Sequence, residues 1–245
     1  MIGSNSSVTR NYPHPSPIML NLYITNKNYS SWSLRPWVLM RELGIAFEEK
    51  LVPFGGSADP HNFRAFSPTG KVPCLVDGNT VVWDSLAIVE YLAEMSPRVW
   101  PAAANARAWA RCAAAEMHSG FPDLRNICSM NCGLRVQVDS YPSALARDIA
   151  RIDALWHEGQ SRFGGPFLAG AVFTAVDACF APVAFRVQTY SLPLSTRALE
   201  YANRLLALPS MKDWYTAAVS ETWRDEAHEE EARRAGAWLQ DLRQC

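Results

Sequence analysis

Apolar positions along the first hundred residues change period several times. Leu20-Asn21-Leu22-Tyr23-Ile24-Thr25 alternates like a half-buried strand. From Ser33 to Leu43 the spacing becomes helical, with Ser33 as the expected N-cap, Pro36 in the first turn and Gly44 at the C-terminal cap. Phe47 to Val52 reads as a second strand, and Pro53, Gly55, Gly56 and Pro60 mark a loop. A short helix is expected over His61 to Phe66. Gly70 to Val76 and Thr80 to Trp83 flank Asp77-Gly78, a hairpin signal. Asp84-Ser85 then opens a helix from Leu86 to Met95. The order is βαβ, short helix, ββα. A long connection between the first two strands favours a parallel pair and the hairpin an antiparallel one, so the predicted sheet is mixed.

Ser96 to Ala104 is a proline-containing break, and beyond it strand signals nearly vanish. Alanine-rich helical patterns run through Asn105 to Asn131, Pro142 to Phe163, Thr174 to Tyr190, Ser195 to Leu206 and Met211 to Ser220. The expected organisation is a disordered leader over 1–17, an α/β domain over 18–96 and an all-helical bundle over 105–245. Thr174-Ala175-Val176-Asp177 has the form of a capping box, and the apolar helix behind it, Ala178 to Val187, should be the buried centre of the second domain. Trp223 to Glu226 and Glu229 to Arg234 read as a solvated, charge-laced terminal helix outside any site.

Composition narrows the function classes. The chain has 245 residues, of which 49% are hydrophobic, enough to bury a sizeable core. A net charge of −1 without a block of one sign excludes the basic footprint of a nucleic-acid partner and a polybasic membrane anchor. No apolar stretch approaches the ~18 residues of a membrane span, and the polar N-terminus lacks the apolar core of a secretory signal. Reduced thiols are therefore expected at Cys74, Cys112, Cys128, Cys132, Cys179 and Cys245. Cys128 and Cys132 would share a helix face, but without a second cluster no metal site is predicted.

Candidate chemistry concentrates at three places. The first is Tyr29-Ser30-Ser31-Trp32-Ser33-Leu34-Arg35-Pro36, where strand gives way to helix. Hydroxyls there sit beside unpaired backbone N–H groups and a positive dipole end. Ser30-x-x-Ser33 occupies the place where a redox protein of similar layout carries Cys-x-x-Cys. The second is Val72-Pro73, a proline inside a strand run: either an ordinary edge proline or a cis bond that frees the Val72 backbone for a peptide-like ligand. The third is Asp84-Ser85, either a plain N-cap or a helix start that holds a carboxylate, with Asp84 facing an ammonium group. A serine nucleophile needs a base, and His14, His61, His118, His157 and His228 form no triad motif, which disfavours hydrolysis. A hydroxyl can instead donate to a bound thiolate and lower that thiol's pKa.

Taken in order from Met19 to Ser220, these elements resemble the cytosolic glutathione transferases. The run Ser30-Ser31-Trp32-Ser33-Leu34-Arg35 is similar to the Ser-Ser-Cys-Ser-Trp-Arg run of the zeta class, the maleylacetoacetate isomerases, with Trp32 in place of the cysteine. The resemblance implies a thioredoxin-like N-terminal domain followed by a helical bundle, glutathione as co-substrate, a small electrophilic substrate, a cytoplasmic homodimer and no metal. It makes Ser30 the hydroxyl that stabilises the glutathione thiolate, with Ser31 and Ser33 as the other candidates. Ser31, Trp32, Ser33, Lys71, Val72, a cis Pro73, Asp84 and Ser85 become the glutathione-binding set. Met117, His118, Phe121 and Arg125 are the candidate wall of the electrophile site, with core packing the alternative for Met117 and Phe121. The implied function is thiolate attack on an electrophile. Its alternatives are a glutathione-dependent cis–trans isomerase and a non-catalytic interaction module. A glutaredoxin-like reductase would need a cysteine where Ser30 and Ser33 stand.

Overall fold

The computed structural model describes residues 19–54 and 60–244; the leader expected over 1–17, the loop glycines Gly55 and Gly56, and Cys245 lie outside the described residues. The N-terminal part runs β1 (Leu20–Ile24), α1 (Ser31–Leu43), β2 (Phe47–Leu51), a 3-10 turn (Pro60–Ala65), β3 (Cys74–Asp77), β4 (Thr80–Trp83) and α2 (Ser85–Met95). Its sheet has the order β2-β1-β3-β4. β1 is parallel to β2 and antiparallel to β3, and β3–β4 is the hairpin, so the sheet is mixed as the pattern predicts. Leu20, Leu22 and Ile24 alternate inward and are buried.

Helix α1 begins earlier than its pattern implies. Ser30, not Ser33, is the N-cap, and its hydroxyl accepts from the Ser33 amide. Several serines in this run suit a cap, and the expectation that Pro36 belongs in the first turn favoured the wrong one. Pro36 instead lies inside the helix and offers no N–H to the carbonyl four residues back, that of Trp32. Gly44 closes the helix in the left-handed conformation, φ 68°, as expected.

The C-terminal part runs α3 (Ala104–Ser119), α4 (Pro122–Ile127), β5 (Leu134–Val138), α5 (Ser143–Phe163), α6 (Ala175–Tyr190), α7 (Thr196–Leu206), α8 (Pro209–Ser220), α9 (Glu226–Ala235) and β6 (Gly236–Asp241). It is mostly but not wholly helical: β5 and β6 form an antiparallel ribbon, with Leu134 opposite Asp241 and Val138 opposite Gly236. The single long helix expected over 105–131 breaks at Gly120–Phe121, where Phe121 turns left-handed (φ 59°) and Pro122 starts α4. Cys128 and Cys132 therefore follow α4 and share no helix face; both are buried free thiols.

Helix α6 is the buried spine expected from its sequence and packs against α1, α3 and α7, joining the two parts. The capping box of Thr174 and Asp177 forms. Asp177, fully buried, accepts from the Thr174 amide (2.9 Å), the Leu168 amide (3.0 Å) and the Tyr201 hydroxyl (2.8 Å). Burial pushes its carboxyl up to about 6 against the pull of these donors.

Candidate functional site

Two cavities meet at the turn between β1 and α1. The first, about 320 Å³, is bounded on the sheet side by Tyr29, Ser30, Ser31 and Trp32 and on the helical side by Arg125, Arg186, His228 and Glu231. The second, about 500 Å³, is bounded by Thr69, Pro73, Trp83, Asp84, Ser85 and His118. Trp32, Lys71 and Val72 belong to both, so the cavities are two arms of one cleft.

The second arm gathers hydroxyl and charged groups around a proline edge. The Val72–Pro73 bond is cis, and both residues line the wall. Asp84 caps α2 with φ 75°, and its Oδ1 accepts from the Leu86 amide at 2.8 Å. Its Oδ2 lies 3.5 Å from His118 Nε2. Ser85 is buried at the first position of α2, and its hydroxyl has no protein partner among the described residues. A buried hydroxyl left unpaired is costly, so its position beside a helix N-terminus fits an incoming carboxylate. His118 lines this arm as well. Burial lowers its pKa, and Arg35 and Arg125 act in the same direction against Asp84.

At the turn itself, the three serines have different surroundings. Ser30 Oγ donates to Ser33 Oγ at 2.8 Å and caps the helix, so its hydroxyl is occupied. Ser33 is fully buried and lines neither arm. Ser31 is the first residue of α1 and lines the first arm; its amide is bonded to the Tyr29 carbonyl, and its hydroxyl has no hydrogen-bond partner among the described residues.

Trp32 stands on the ridge between the arms beneath two guanidinium groups, Arg35 at 4.1 Å and Arg125 at 4.6 Å from the ring centroid. Such contacts are electrostatically favourable, and more so when water is excluded. Arg35 is buried with Nε and Nη2 unpartnered among the described residues, and burial lowers its pKa to about 10. Arg125 donates to the Gly120 carbonyl at 3.0 Å and to that of Met117, and burial beside Arg35 and Arg186 lowers it to about 9. Of the four residues expected in the electrophile wall, Arg125 lines the first arm and His118 the second. Met117, on the buried face of α3, and Phe121, at the left-handed break after it, are buried in the hydrophobic core and line neither arm.

The sequence reading missed the C-terminal segment. Glu229, placed on a solvated helix by its charge pattern, is buried. It accepts from the Tyr29 hydroxyl at 2.6 Å and from Arg243 Nη2 at 2.9 Å, with a further contact to Arg243 Nη1. Arg243 is held in turn by Asp241 at 2.6 Å. It passes so close to Gly133 that a Cβ there would stand 2.2 Å from Arg243 Cγ. Glu221 accepts from the amides of Lys27 (2.7 Å) and Asn28 (3.2 Å), pinning the same turn from behind. His228 stacks on Tyr29 and Phe54, with ring centroids 5.0 and 5.6 Å away. Burial acts to raise the Glu229 pKa, but hydrogen bonds from Arg243 and Tyr29 hold it below the ordinary carboxylate range. The same burial and the Glu229 contact push the Tyr29 phenol well up.

A four-stranded mixed sheet with a cis-proline edge, a hydroxyl-bearing helix start and a helical part closing the cleft define the glutathione-transferase fold. The profile of the glutathione S-transferase N-terminal domain matches residues 29–95. Maleylacetoacetate isomerase of Rattus norvegicus is 29% identical over 200 residues, spanning 78% of this chain and 89% of that protein. A zeta-class glutathione S-transferase of Euphorbia esula is 29% identical over 188 residues, spanning 72% and 83%. Among solved structures, a glutathione transferase homologue from Burkholderia GL BGR1 with bound glutathione superposes with a TM-score of 0.62 at 23% identity, covering 82% of this chain and 98% of that one. Residues 29–95 thus carry the glutathione S-transferase N-terminal domain, and over most of its length the chain is similar to zeta-class glutathione transferases and maleylacetoacetate isomerases.

The ion cluster at Glu229 makes a direct prediction. Removing one partner of a buried pair costs about 3–5 kcal/mol, so Arg243→Ala should lower the unfolding free energy measured by urea titration by an amount in that range. Glu229 has a depressed folded pKa, so its contribution is present above the unfolded carboxylate range and is lost as pH falls through the folded value. Glu229→Gln should therefore flatten the acid limb of the stability–pH curve; an unchanged acid limb would show that Glu229 does not carry it.

Proposed function

We propose that this enzyme binds glutathione along both arms of the cleft and directs its thiolate at a small electrophile held in the first arm. The observation that carries this reading is the unpartnered Ser85 hydroxyl beside Asp84, in a cavity continuous through Val72 with the one that Ser31 lines. In this reading the γ-glutamyl carboxylate meets Ser85 and the N-terminus of α2, and its ammonium meets Asp84 Oδ2. The cysteinyl backbone pairs with Val72, and Lys71 meets the glycyl carboxylate. The sulfur then arrives at the ridge formed by Trp32.

The resemblance favours Ser30 as the activating hydroxyl, whereas the hydrogen bonding favours Ser31. Ser30 spends its proton on Ser33 Oγ, while Ser31 lines the cavity with its hydroxyl unoccupied by protein. Donation from Ser31, the N-terminal dipole of α1 and the nearby guanidinium groups all stabilise a thiolate over a thiol.

A second reading has its own support. Arg125 and Arg186 both line the first arm, and paired guanidinium groups suit a carboxylate-bearing electrophile. That favours a glutathione-dependent isomerase of the maleylacetoacetate type, with Trp32 where the zeta run has cysteine. Rates with an aryl halide, a hydroperoxide and maleylacetone separate these reactions.

A homodimer in the cytoplasm belongs to the same reading. Val81 and Trp83 stand exposed beside Leu86 and Ala87 on an apolar face, and a second copy would cover them. Sedimentation showing a monomer at all concentrations would contradict it. Among the described residues no helix is long and apolar enough to cross a membrane.

Exchanging the two serines tests the proposed division of labour. Ser31→Ala should raise the pKa of bound glutathione by about one unit, cutting the thiolate fraction at neutral pH by up to about tenfold. Ser30→Ala should cost about 1 kcal/mol of stability through loss of the cap and leave the thiol closer to its wild-type ionisation. The reverse pattern, read from thiolate absorbance, would return the role to Ser30.

A further inference from the structure

The first arm contains a proton carrier that the thiolate reading does not use. His228 lies in its wall, and its ring is fixed on two sides by the stacked rings of Tyr29 and Phe54, with interplanar angles of 25° and 24°. Nδ1 lies 2.5 Å from Asp225 Oδ2, which assigns the Nδ1 proton to that contact and leaves Nε2 as the working nitrogen. Asp225 also caps α9, accepting from the His228 amide at 3.2 Å. Capping accounts for Asp225. It does not account for an imidazole at the third helical position, stacked into the wall of a cavity.

The other ionisable groups of this arm are committed elsewhere or lack orientation. The Tyr29 hydroxyl is donated to Glu229. Arg125 is tied to the Gly120 and Met117 carbonyls, and Arg186 to those of Cys128 and Pro182. Lys71 and Glu231 line the arm without a side-chain hydrogen bond among the described residues. His228 alone among them combines a ring fixed by stacking with a carboxylate on its far nitrogen, the arrangement general acid–base catalysis requires.

We infer that His228, positioned by Asp225, is the proton donor to the electrophile when glutathione adds to a conjugated carbonyl compound. This rests on the glutathione reading of the cleft. The thiolate forms a C–S bond at the β-carbon, and the C=C π pair moves toward the carbonyl as an enolate. His228, as imidazolium, gives its Nε2 proton to the α-carbon. The neutral imidazole recovers, through solvent, the proton released when the glutathione thiol ionised. Thiol and enone become a thioether with no oxidant or reductant. Displacement at an aryl halide differs, because the halide leaves with its electron pair and needs no proton.

That difference supplies the test. His228→Phe keeps a flat ring between Tyr29 and Phe54 and removes the proton; His228→Gln is the second variant, should the phenyl ring disturb folding. Addition to benzylideneacetone should fall about 100-fold. At glutathione concentrations that calorimetry shows to be saturating for each variant, the ratio of benzylideneacetone to chlorodinitrobenzene turnover should fall by about tenfold or more, because only the addition uses the proton. Asp225→Asn should show a smaller fall with the same substrate selectivity. An undiminished enone rate in the folded variants overturns the assignment. So does an equal fall for both substrates, and so does wild-type protein that binds glutathione but does not add it to benzylideneacetone. Wild-type protein that fails to bind glutathione at all instead overturns the functional reading beneath it.

Discussion

The buried ion pair of Glu229 and Arg243 fixes the C-terminal segment against one side of this cleft. With it, a segment some two hundred residues downstream is clamped onto the β1–α1 turn through the Tyr29 hydroxyl and the Arg243 guanidinium. Burying such charges gains little over a well-packed apolar contact, but once buried neither partner can be lost cheaply. The pair therefore acts less as a source of stability than as a device that specifies where the C-terminal segment docks. That docking brings His228 and Glu231 to the cavity wall and lets β6 complete a ribbon with β5.

A second constraint runs through Trp32. Arg35, Arg125 and Arg186 bring positive charge close together in a poorly solvated region, and each is held below its ordinary pKa with burial as the first cause. The indole beneath Arg35 and Arg125 offsets part of that cost. A bound thiolate or carboxylate would offset more. The cleft carries uncompensated positive charge at the point where the proposed reaction develops and uses a negative one, which is the arrangement electrostatic catalysis relies on.

Local signals were legible in the chain. The β1–α1–β2 unit, the Asp77-Gly78 hairpin, the α2 start at Asp84-Ser85 and the Thr174–Asp177 box each depend on residues a few positions apart, and each forms. The α1 cap was misplaced because Ser30, Ser31 and Ser33 are chemically alike and only the fold distinguishes their surroundings. Met117 and Phe121 take the core-packing alternative: Met117 lies on the buried face of α3, and a helical period does not announce the left-handed turn at Phe121. Glu229 was misread because its charged neighbours give it the profile of a solvated face, while its partners are Tyr29 and Arg243. β5 does alternate in sequence, but its partner strand lies about a hundred residues away, and pairing at that distance leaves no local trace.

The account turns on a thiol that arrives with the ligand and is ionised at the start of α1. The most direct measurement is an ultraviolet difference titration of glutathione bound to the wild-type protein across pH. The account predicts saturable binding and a bound thiol that ionises below the ordinary thiol pKa of about 8.5. A protein that does not saturate with glutathione, or one whose bound thiol titrates as it does free in water, would contradict it.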